Sequence, residues 1–574
     1  MPTIDFKGKQ YIYSHHHSVP FRELVLDEVK SLPVQGKKPN LDDNLIIHGD
    51  NLHALKALMP QYAGKIKCIY IDPPYNTGNE GWCYNDNVNS PLMKQWLEKN
   101  ANPVDKEDLE RHDKWLCMMY PRLKLLHDLL ADDGVIFVSI DDNEVHHLRA
   151  VMDEIWGENL LISQNIRISN SAKNSSNYTS ITHDYTVVYS KRKNAPDSNL
   201  WRVPKKNNME FLSTIRRLMQ KKLSNEKISE EIRQLVKYPR FYEFDHYYYV
   251  DGAFSELGPY ASDKPGPASG TMGHTDYSIP HPVTKKMCKI PSTGWAMNKE
   301  KAYQMLGNDR WHFGEDESTI PRPKAYLFEN DQSQFTGIQF FDSQKDAKFL
   351  QKLAIKFNFP KPVDLIKEYV SLCPKDSIIL DSFAGSGTTA HAVLALNKED
   401  GGNRKFILVE MEDYADSVTA ERVRRVIKGV PTAKDEKLRA GLGGSFTFCE
   451  LGKEISIEKI LTGESLPDYS SLAKYVFYTA TGKSLDKNVK ETPDYFVGET
   501  DLYEVYLIYK PDIAFLRGSD SALNDIKLKV IADRHSKKEK LVFATAKYMG
   551  QKELSTQNIT FCQLPYAIHK VVGA

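Results

Sequence analysis

A chain of 574 residues is too long for a single hydrophobic core, so two to four domains are expected. Its 41% hydrophobic and 26% charged residues describe a globular protein, and no run approaches the ~18 apolar residues of a membrane span. Lysine plus arginine and aspartate plus glutamate number 76 each, so overall charge singles out no partner and only local charge can.

Residues 1–40 mix aromatic, proline and basic residues without a period and are expected to form an arm over the surface. The tract His15-His16-His17 reads as an exposed loop, because three adjacent side chains point in different directions and make a poor metal site. No apolar signal region precedes it. The seven cysteines are scattered and form no CxxC pair, which speaks against a disulfide framework or structural zinc and for a cytoplasmic protein.

From residue 41 to 190, short apolar runs alternate with helical spacing. Leu45–Asp50 reads as a buried strand ending in acid, Asn51–Met59 as a helix, and Lys67–Ile71 as a second strand that stops at Asp72-Pro73-Pro74-Tyr75. A polar loop follows over 76–90. A helix over Trp115–Leu130 is closed by Asp132-Asp133-Gly134, and strands follow at Val135–Asp142 and Tyr185–Ser190. This alternation predicts a doubly wound, mostly parallel α/β sheet.

Residues 191–340 break the pattern. Between Lys191 and Lys222 stand ten basic residues against two acidic ones, with Lys205, Lys206, Arg216 and Arg217 at their centre. Tyr238, Phe241, Tyr242, Phe244 and Tyr247–Tyr249 follow, and then a Gly/Pro-dense stretch to Gly294. Cations for phosphate and flat rings for bases are what a nucleic-acid groove requires, although a charge run is as often a solvated face. The α/β pattern resumes over 341–430: strand Ser377–Asp381, a glycine-rich turn Ser382–Gly387, a helix from Thr388, and strand Phe406–Glu410. Residues 431–574 read as a separate α/β segment without a chemical constellation.

The chemistry is concentrated where strands end. Ala384-Gly385-Ser386-Gly387 opens a helix after a strand, which lets backbone approach a ligand. It is neither a full GxGxxG nor a phosphate loop with Gly-Lys-Ser/Thr. Glu410, closing the next strand, is placed to accept from ribose hydroxyls, and Asp50 could accept from an adenine amino group, if it is not simply a helix cap. A turn and an acid without a polyphosphate grip suit S-adenosyl-L-methionine better than NAD or ATP. Asp72 and a proline carbonyl can accept both hydrogens of an exocyclic amine while Tyr75 stacks on its ring. Such a base must leave the duplex. No Pro-Cys pair is present, which counts against methylation of a cytosine ring carbon through a thiolate.

With these residues the chain resembles the DNA amino-methyltransferases in the permuted beta arrangement. Asp72-Pro73-Pro74-Tyr75 comes first, the basic insert next, and Phe383-Ala384-Gly385-Ser386-Gly387 last. It is similar more narrowly to the modification subunits of type III restriction systems. The residues that carry this are Gly49-Asp50-Asn51-Leu52, Tyr70–Gly78, Ser139-Ile140-Asp141-Asp142-Asn143-Glu144, Phe359–Ile366 and Phe477–Gly482. The resemblance implies a Rossmann-like methyltransferase fold with an inserted target-recognition domain and a C-terminal assembly domain. It implies S-adenosyl-L-methionine bound by Asp50, Lys361, Asp381, Phe383, Ala384, Gly385, Ser386, Gly387 and Glu410. Asp72, Pro73, Pro74 and Tyr75 would be catalytic, without a metal. It implies transfer to adenine N6 in double-stranded DNA, a homodimer, and a helicase-nuclease restriction subunit as partner. Asp72 goes with adenine, where Ser is commoner for cytosine N4. Cytosine N4, RNA, and a silent DNA-recognition subunit are the alternatives.

Overall fold

The computed structural model describes residues 3–78, 111–169, 179, 181–205, 207–221, 223–267, 271–434, 436–455, 466–485, 489–534 and 537–564. Lys206, Lys222, Cys83 and most of the polar loop after Asn76 lie outside them. The chain divides into two compact units, residues 1–200 with 336–574, and residues 201–335.

The larger unit is built on a ten-stranded sheet. Its strands are β1 (Arg22–Leu32), β2 (Leu45–His48), β3 (Ile66–Ile71), β4 (Leu130–Ile140), β5 (Leu161–Ser169), β6 (His183–Ser190), β7 (Ile338–Phe341), β8 (Ile378–Asp381), β9 (Lys405–Glu410) and β10 (Phe446–Glu454). Their order across the sheet is β1-β10-β2-β9-β8-β3-β4-β6-β5-β7. The six strands from β10 to β4 run parallel, whereas β1 and β6 are antiparallel to their neighbours. Helices α1 (Asn51–Tyr62), α2 (Arg111–Leu129), α3 (Val145–Ile155), α4 (Val363–Ser371), α5 (Thr388–Asp400) and α6 (Glu421–Lys428) accompany it.

Strand residues explain why helices lie on both faces. Successive side chains point to opposite sides, so Leu45, Ile47, Ile69, Ile71, Ile136 and Val138 share one core with α1, α2 and α3. Tyr70 and Phe137 point the other way and stack on Tyr369 of α4. A sheet buried on both faces needs near-continuous apolar strands, and β2, β3 and β9 have them.

Several boundaries differ from the sequence reading because long-range pairing decides them. Residues 22–32 of the expected arm form edge strand β1 on β10, and β10 itself comes from the expected C-terminal segment. Strand β7, placed in the insert by composition, pairs with β5 of the large sheet. Asp132-Asp133-Gly134 is no helix stop: strand β4 starts directly at Leu130, and the register slips between Ile66–Leu130 and Cys68–Val135. A Cβ on Gly134 would come within 2.8 Å of the Ile66 carbonyl.

Beyond β10, helix α7 (Tyr469–Thr481) leads to a four-stranded sheet of Phe496–Glu499, Tyr503–Leu507, Glu539–Ala544 and Ile559–Gln563. The unit at 201–335 has its own cores. Phe211, Ile215, Ile228, Phe241 and Phe244 form one, and Tyr277, Trp295 and Trp311 another. No helix among the described residues is long and apolar enough to cross a membrane.

The histidine tract is also corrected. His15–Ser18 is a one-turn helix with His15 and His16 buried, and Lys56 Nζ donates to the His16 carbonyl at 2.8 Å. Burial, helped by the neighbouring charge of His17, holds the His16 imidazole down to about 3. In an unfolded chain that ring protonates near 6.5, so stability present above 6.5 is lost as pH falls towards 3. His16→Leu should remove this loss, worth about 1.4 kcal/mol for each pH unit below 6.5. Melting of both proteins at pH 7 and 4.5 tests it, and parallel acid shifts would refute it.

Candidate active site

β2, β9, β8 and β3 are neighbours in the parallel part of the sheet, and each ends in or next to an acid: Asp50, Glu410, Asp381 and Asp72. The carboxyl edge of such a sheet is where ligands bind. Strands β3 and β8 are adjacent yet distant in sequence, so the two motifs meet because the sheet pairs Cys68 with Ile379 and Ile69 with Leu380.

The turn after β3 is held from several sides. Prolines 73 and 74 end the ladder, and Asn76 takes a left-handed φ of 58°. The Trp115 indole donates to the Pro74 carbonyl at 2.7 Å. The Asn76 amide donates to the Arg111 carbonyl at 3.2 Å and to the fully buried Glu144 carboxylate. Glu144 also meets His112 Nδ1 at 2.5 Å and His147 Nδ1 at 2.8 Å. Two histidines and a carboxylate have the composition of a metal centre. Here each imidazole sits on its own carboxylate oxygen at hydrogen-bond distance, and the group serves as a clamp on Asn76. Sequence reasoning missed this clamp, although Asp141-Asp142-Asn143-Glu144 marked it.

Asp72 faces a cation. Lys361 Nζ lies 3.0 Å from Asp72 Oδ1, donates to the Tyr75 hydroxyl, and stands 4.6 Å from the Tyr75 ring centroid. The same nitrogen is 3.8 Å from Asp184, which Arg167 grips with two nitrogens. Burial, then the charges of Asp72 and Asp184, push the Tyr75 phenol well above its ordinary range, so it stays neutral. Lys361 was grouped by resemblance with the cofactor residues; its ammonium stands on the expected catalytic carboxylate.

On the other side, the turn after β8 is wired to its surroundings. Asp381 accepts from the Phe383 amide at 3.0 Å and the Thr389 hydroxyl at 2.5 Å. The Gly385 amide donates to Glu410 Oε2 at 2.7 Å, and the Glu412 amide to Oε1 at 3.1 Å. Ala384 N bonds the Val409 carbonyl at 3.0 Å. Gly385 and Gly387 have φ of +52° and +75°, and a Cβ on Gly385 would meet the Phe357 ring at 3.1 Å. Burial pushes the Glu410 carboxyl up. The Tyr414 hydroxyl also bonds Glu410, so the acid already takes a hydroxyl donor, as it would from the ribose of a nucleoside lying across β9. Asp50 caps α1, accepting from Leu52 N at 2.9 Å and His53 N at 3.2 Å, with its second oxygen 3.5 Å from Arg122.

Two further residues were not foreseen. Asn51 donates to the Ser382 carbonyl at 3.2 Å and receives Arg122 Nε at 2.5 Å, tying α1 to the turn. Arg422, wholly buried, donates to Ser386 Oγ and Thr388 Oγ1 at 2.8 Å each and lies 3.5 Å from Asp346. No spacing rule in the sequence links position 422 to position 386.

In the inserted unit Arg216 and Arg217 are exposed on helix Asn208–Met219. Lys205 is committed within its own unit, over the Tyr247 ring at 4.5 Å and donating to the Asn330 carbonyl. Phe241 and Phe244 are core residues rather than base platforms, whereas Tyr238 and Tyr242 are 60% and 54% exposed. Lys206 lies outside the described residues.

The model of the DNA methylase family matches residues 66–421, which include both strand-end motifs and the insert between them. The chain belongs to that family. It is 30% identical to the Mod subunit of the type III restriction-modification enzyme EcoP15I from Escherichia coli, over 72% of this chain and 64% of that one. It is 30% identical to the StyLTI Mod subunit from Salmonella typhimurium, over 74% and 62%. The type II methyltransferase M.KpnI from Klebsiella pneumoniae is 29% identical over 68% of this chain and 84% of its own. The chain thus spans less than two thirds of the length of the two Mod subunits.

Burial raises the Asp381 carboxyl to about 7 against the bonds from Thr389 and Phe383, and the charges of Asp72 and Glu410 add to the rise. An unfolded chain releases that proton near 3.8, so wild-type protein loses stability as pH climbs from 3.8 through 7. Asp381→Asn keeps an acceptor and lacks the titration. Its melting temperature relative to wild type should rise between pH 5 and pH 8, and a gap independent of pH would refute the assignment.

Proposed function

We propose that this chain is a site-specific DNA adenine-N6 methyltransferase that takes its methyl group from S-adenosyl-L-methionine. The observation that carries the reading is Asp72, fixed with Tyr75 at the end of β3, beside the glycine turn of the adjacent strand β8. Bound S-adenosyl-L-methionine supplies an electrophilic methyl on a sulfonium. Asp381, Phe383, Gly385 and Gly387 would cradle it, with Glu410 on its ribose; Asp50, already a helix cap, borders the same edge.

The chain's own groups act on the base. An exocyclic amine is a poor nucleophile because its lone pair is delocalised into the ring. Asp72 accepts one of its hydrogens and the Pro73 carbonyl the other, the Pro74 carbonyl being engaged by Trp115. Acceptors that draw both hydrogens out of the ring plane favour an amine of tetrahedral geometry, which is how the nitrogen looks in the transition state. The proton that the methylated nitrogen must then lose passes to Asp72 or to solvent. Tyr75 gives the flipped ring a flat, neutral surface, and the turn's bonds to Asn76 and Pro74 keep these groups in register.

The relatives' names support a modification subunit of a type III restriction system; to this the family resemblance adds specificity, a homodimer, a cytoplasmic location and a restriction subunit as partner. DNA recognition falls to the inserted unit, with Arg216 and Arg217 neutralising phosphates. Replacing both with alanine should lower the slope of log affinity against log salt by about 0.9 for each phosphate no longer neutralised. An unchanged slope would show a merely solvated face. Incubation with duplex DNA and labelled S-adenosyl-L-methionine, followed by mapping of the methylated base, tests the central claim: N6-methyladenine in one context is expected, and label on cytosine N4 or on no base overturns it. Asp72→Ala should cut turnover by at least about 10²-fold, as loss of a transition-state acceptor does, with cofactor affinity little changed.

A further inference from the structure

Lys361 places the protein's own ammonium on the carboxylate that the proposed chemistry reserves for the amine of the target base. Its Nζ lies 3.0 Å from Asp72 Oδ1, donates to the Tyr75 hydroxyl, and stands 4.6 Å from the Tyr75 ring centroid. The side chain is only 12% exposed, so the position is part of the pocket rather than a surface excursion.

An ammonium cannot remain there while a base is methylated. It occupies the place of the amine on Asp72 and sits against the hydroxyl edge of Tyr75, where the rim of a stacked base would have to pass. The nitrogen that receives the methyl also becomes positive, and a second cation on the same carboxylate opposes that charge. The structure offers somewhere for Lys361 to go. Asp184 Oδ2 is 3.8 Å from the same Nζ, and Arg167 holds that carboxylate through Nε at 2.6 Å and through a second nitrogen. Asp184 and Arg167 come from β6 and β5, which pair at this point, so the second carboxylate is rigidly mounted. A flexible four-carbon stem passes between two such carboxylates without carrying its charge through an apolar region.

We propose that Lys361 is a placeholder for the target base, holding Asp72 and Tyr75 while the pocket is empty and moving onto Asp184 when the base enters. The proposal rests on the reading of Asp72 as the amine's acceptor. It assigns Lys361 to the base side of the site, whereas the family resemblance placed it with the cofactor. With no base bound, the cation offsets the charge of the Asp72 carboxylate. Its cost is competition: base affinity is lowered by the fraction of time that Lys361 occupies the pocket.

The two assignments predict opposite results. Full-length wild type, Lys361→Met and Lys361→Arg are compared by equilibrium dialysis with labelled deoxyadenosine, and by calorimetry with S-adenosylhomocysteine. Removing the placeholder should tighten deoxyadenosine binding in Lys361→Met by about tenfold, if the open pocket is populated a tenth of the time in wild type. Affinity for S-adenosylhomocysteine should be little changed. Lys361→Arg keeps a cation in place and should bind the nucleoside no better than wild type. General damage to the pocket weakens binding, so a gain is a signature that a structural role does not produce. Deoxyadenosine binding in Lys361→Met that is unchanged or weaker overturns the proposal; if S-adenosylhomocysteine affinity collapses as well, Lys361 belongs to the cofactor. A wild type that takes up no S-adenosylhomocysteine would refute the methyltransferase reading, while the nucleoside comparison still decides the placeholder.

Discussion

Acids gathered at the carboxyl edge of neighbouring parallel strands repel one another, and the architecture of the larger unit is arranged around that repulsion. Asp72, Asp381 and Glu410 end or follow three adjacent strands. Each is compensated differently. Asp72 meets the Lys361 ammonium at 3.0 Å. Glu410 receives backbone amides of Gly385 and Glu412, which ties the cofactor turn to the next strand. Asp381, the most enclosed of the three, holds its proton up to about 7 and uses its oxygens to bind Phe383 N and Thr389 Oγ1. A single acid at a strand end is commonly a cap, as Asp50 is. Acids on adjacent strands cannot all be caps, and their joint presence is what marks a site.

The compensation is also what makes the site rigid. Besides the local amides of Phe383 and Glu412, each acid meets a group from another segment: the loop before α4 for Lys361, the turn after β8 for Gly385, the first turn of α5 for Thr389. Arg422 of α6 then fastens that turn from below through Ser386 and Thr388. Preorganised donors and acceptors lose little free energy to reorganisation when a substrate arrives. The Asn76–Glu144 clamp does the same for the other motif, joining the β3 turn to the residues before α3 and, through His112, to the start of α2.

What could be read from the sequence follows from how local the cause is. Strands β2, β3, β8 and β9 were legible because each is a short apolar run with a carboxylate at or just past its end, and period and punctuation are local signals. The edge strand β1 was not, because none of its residues is fully buried and only pairing with β10, some 420 positions away, makes it a strand. Strand β7 escaped for the same reason on the opposite edge. Asp132-Asp133-Gly134 has the composition of a helix stop and instead forms an irregularity where β4 passes β3, a matter of register that composition does not encode.

The site shows the same division, and its consequences run furthest there. Asp72, Tyr75, Gly385 and Glu410 are recognisable because the backbone around them is unusual: prolines that end a ladder, glycines at positive φ, acids at strand ends. Asp184, Arg167 and Arg422 act through side chains that converge only after folding, and nothing in their neighbours announces them; Lys361 and Asn51 lie in strings that the resemblance marks, but the partners they meet are set only by folding. Aromatic residues in the insert mislead in the other direction. Phe241 and Phe244 looked like base platforms and are core, because a small unit of 135 residues needs its large apolar side chains to fold before it can present any. Motif residues therefore locate the chemistry, while its control lies with residues that only the folded chain brings together. Lys361 illustrates the difference most directly: from its sequence neighbours it is a basic residue between prolines, and from its surroundings it is a cation seated on the acid that the reaction needs free.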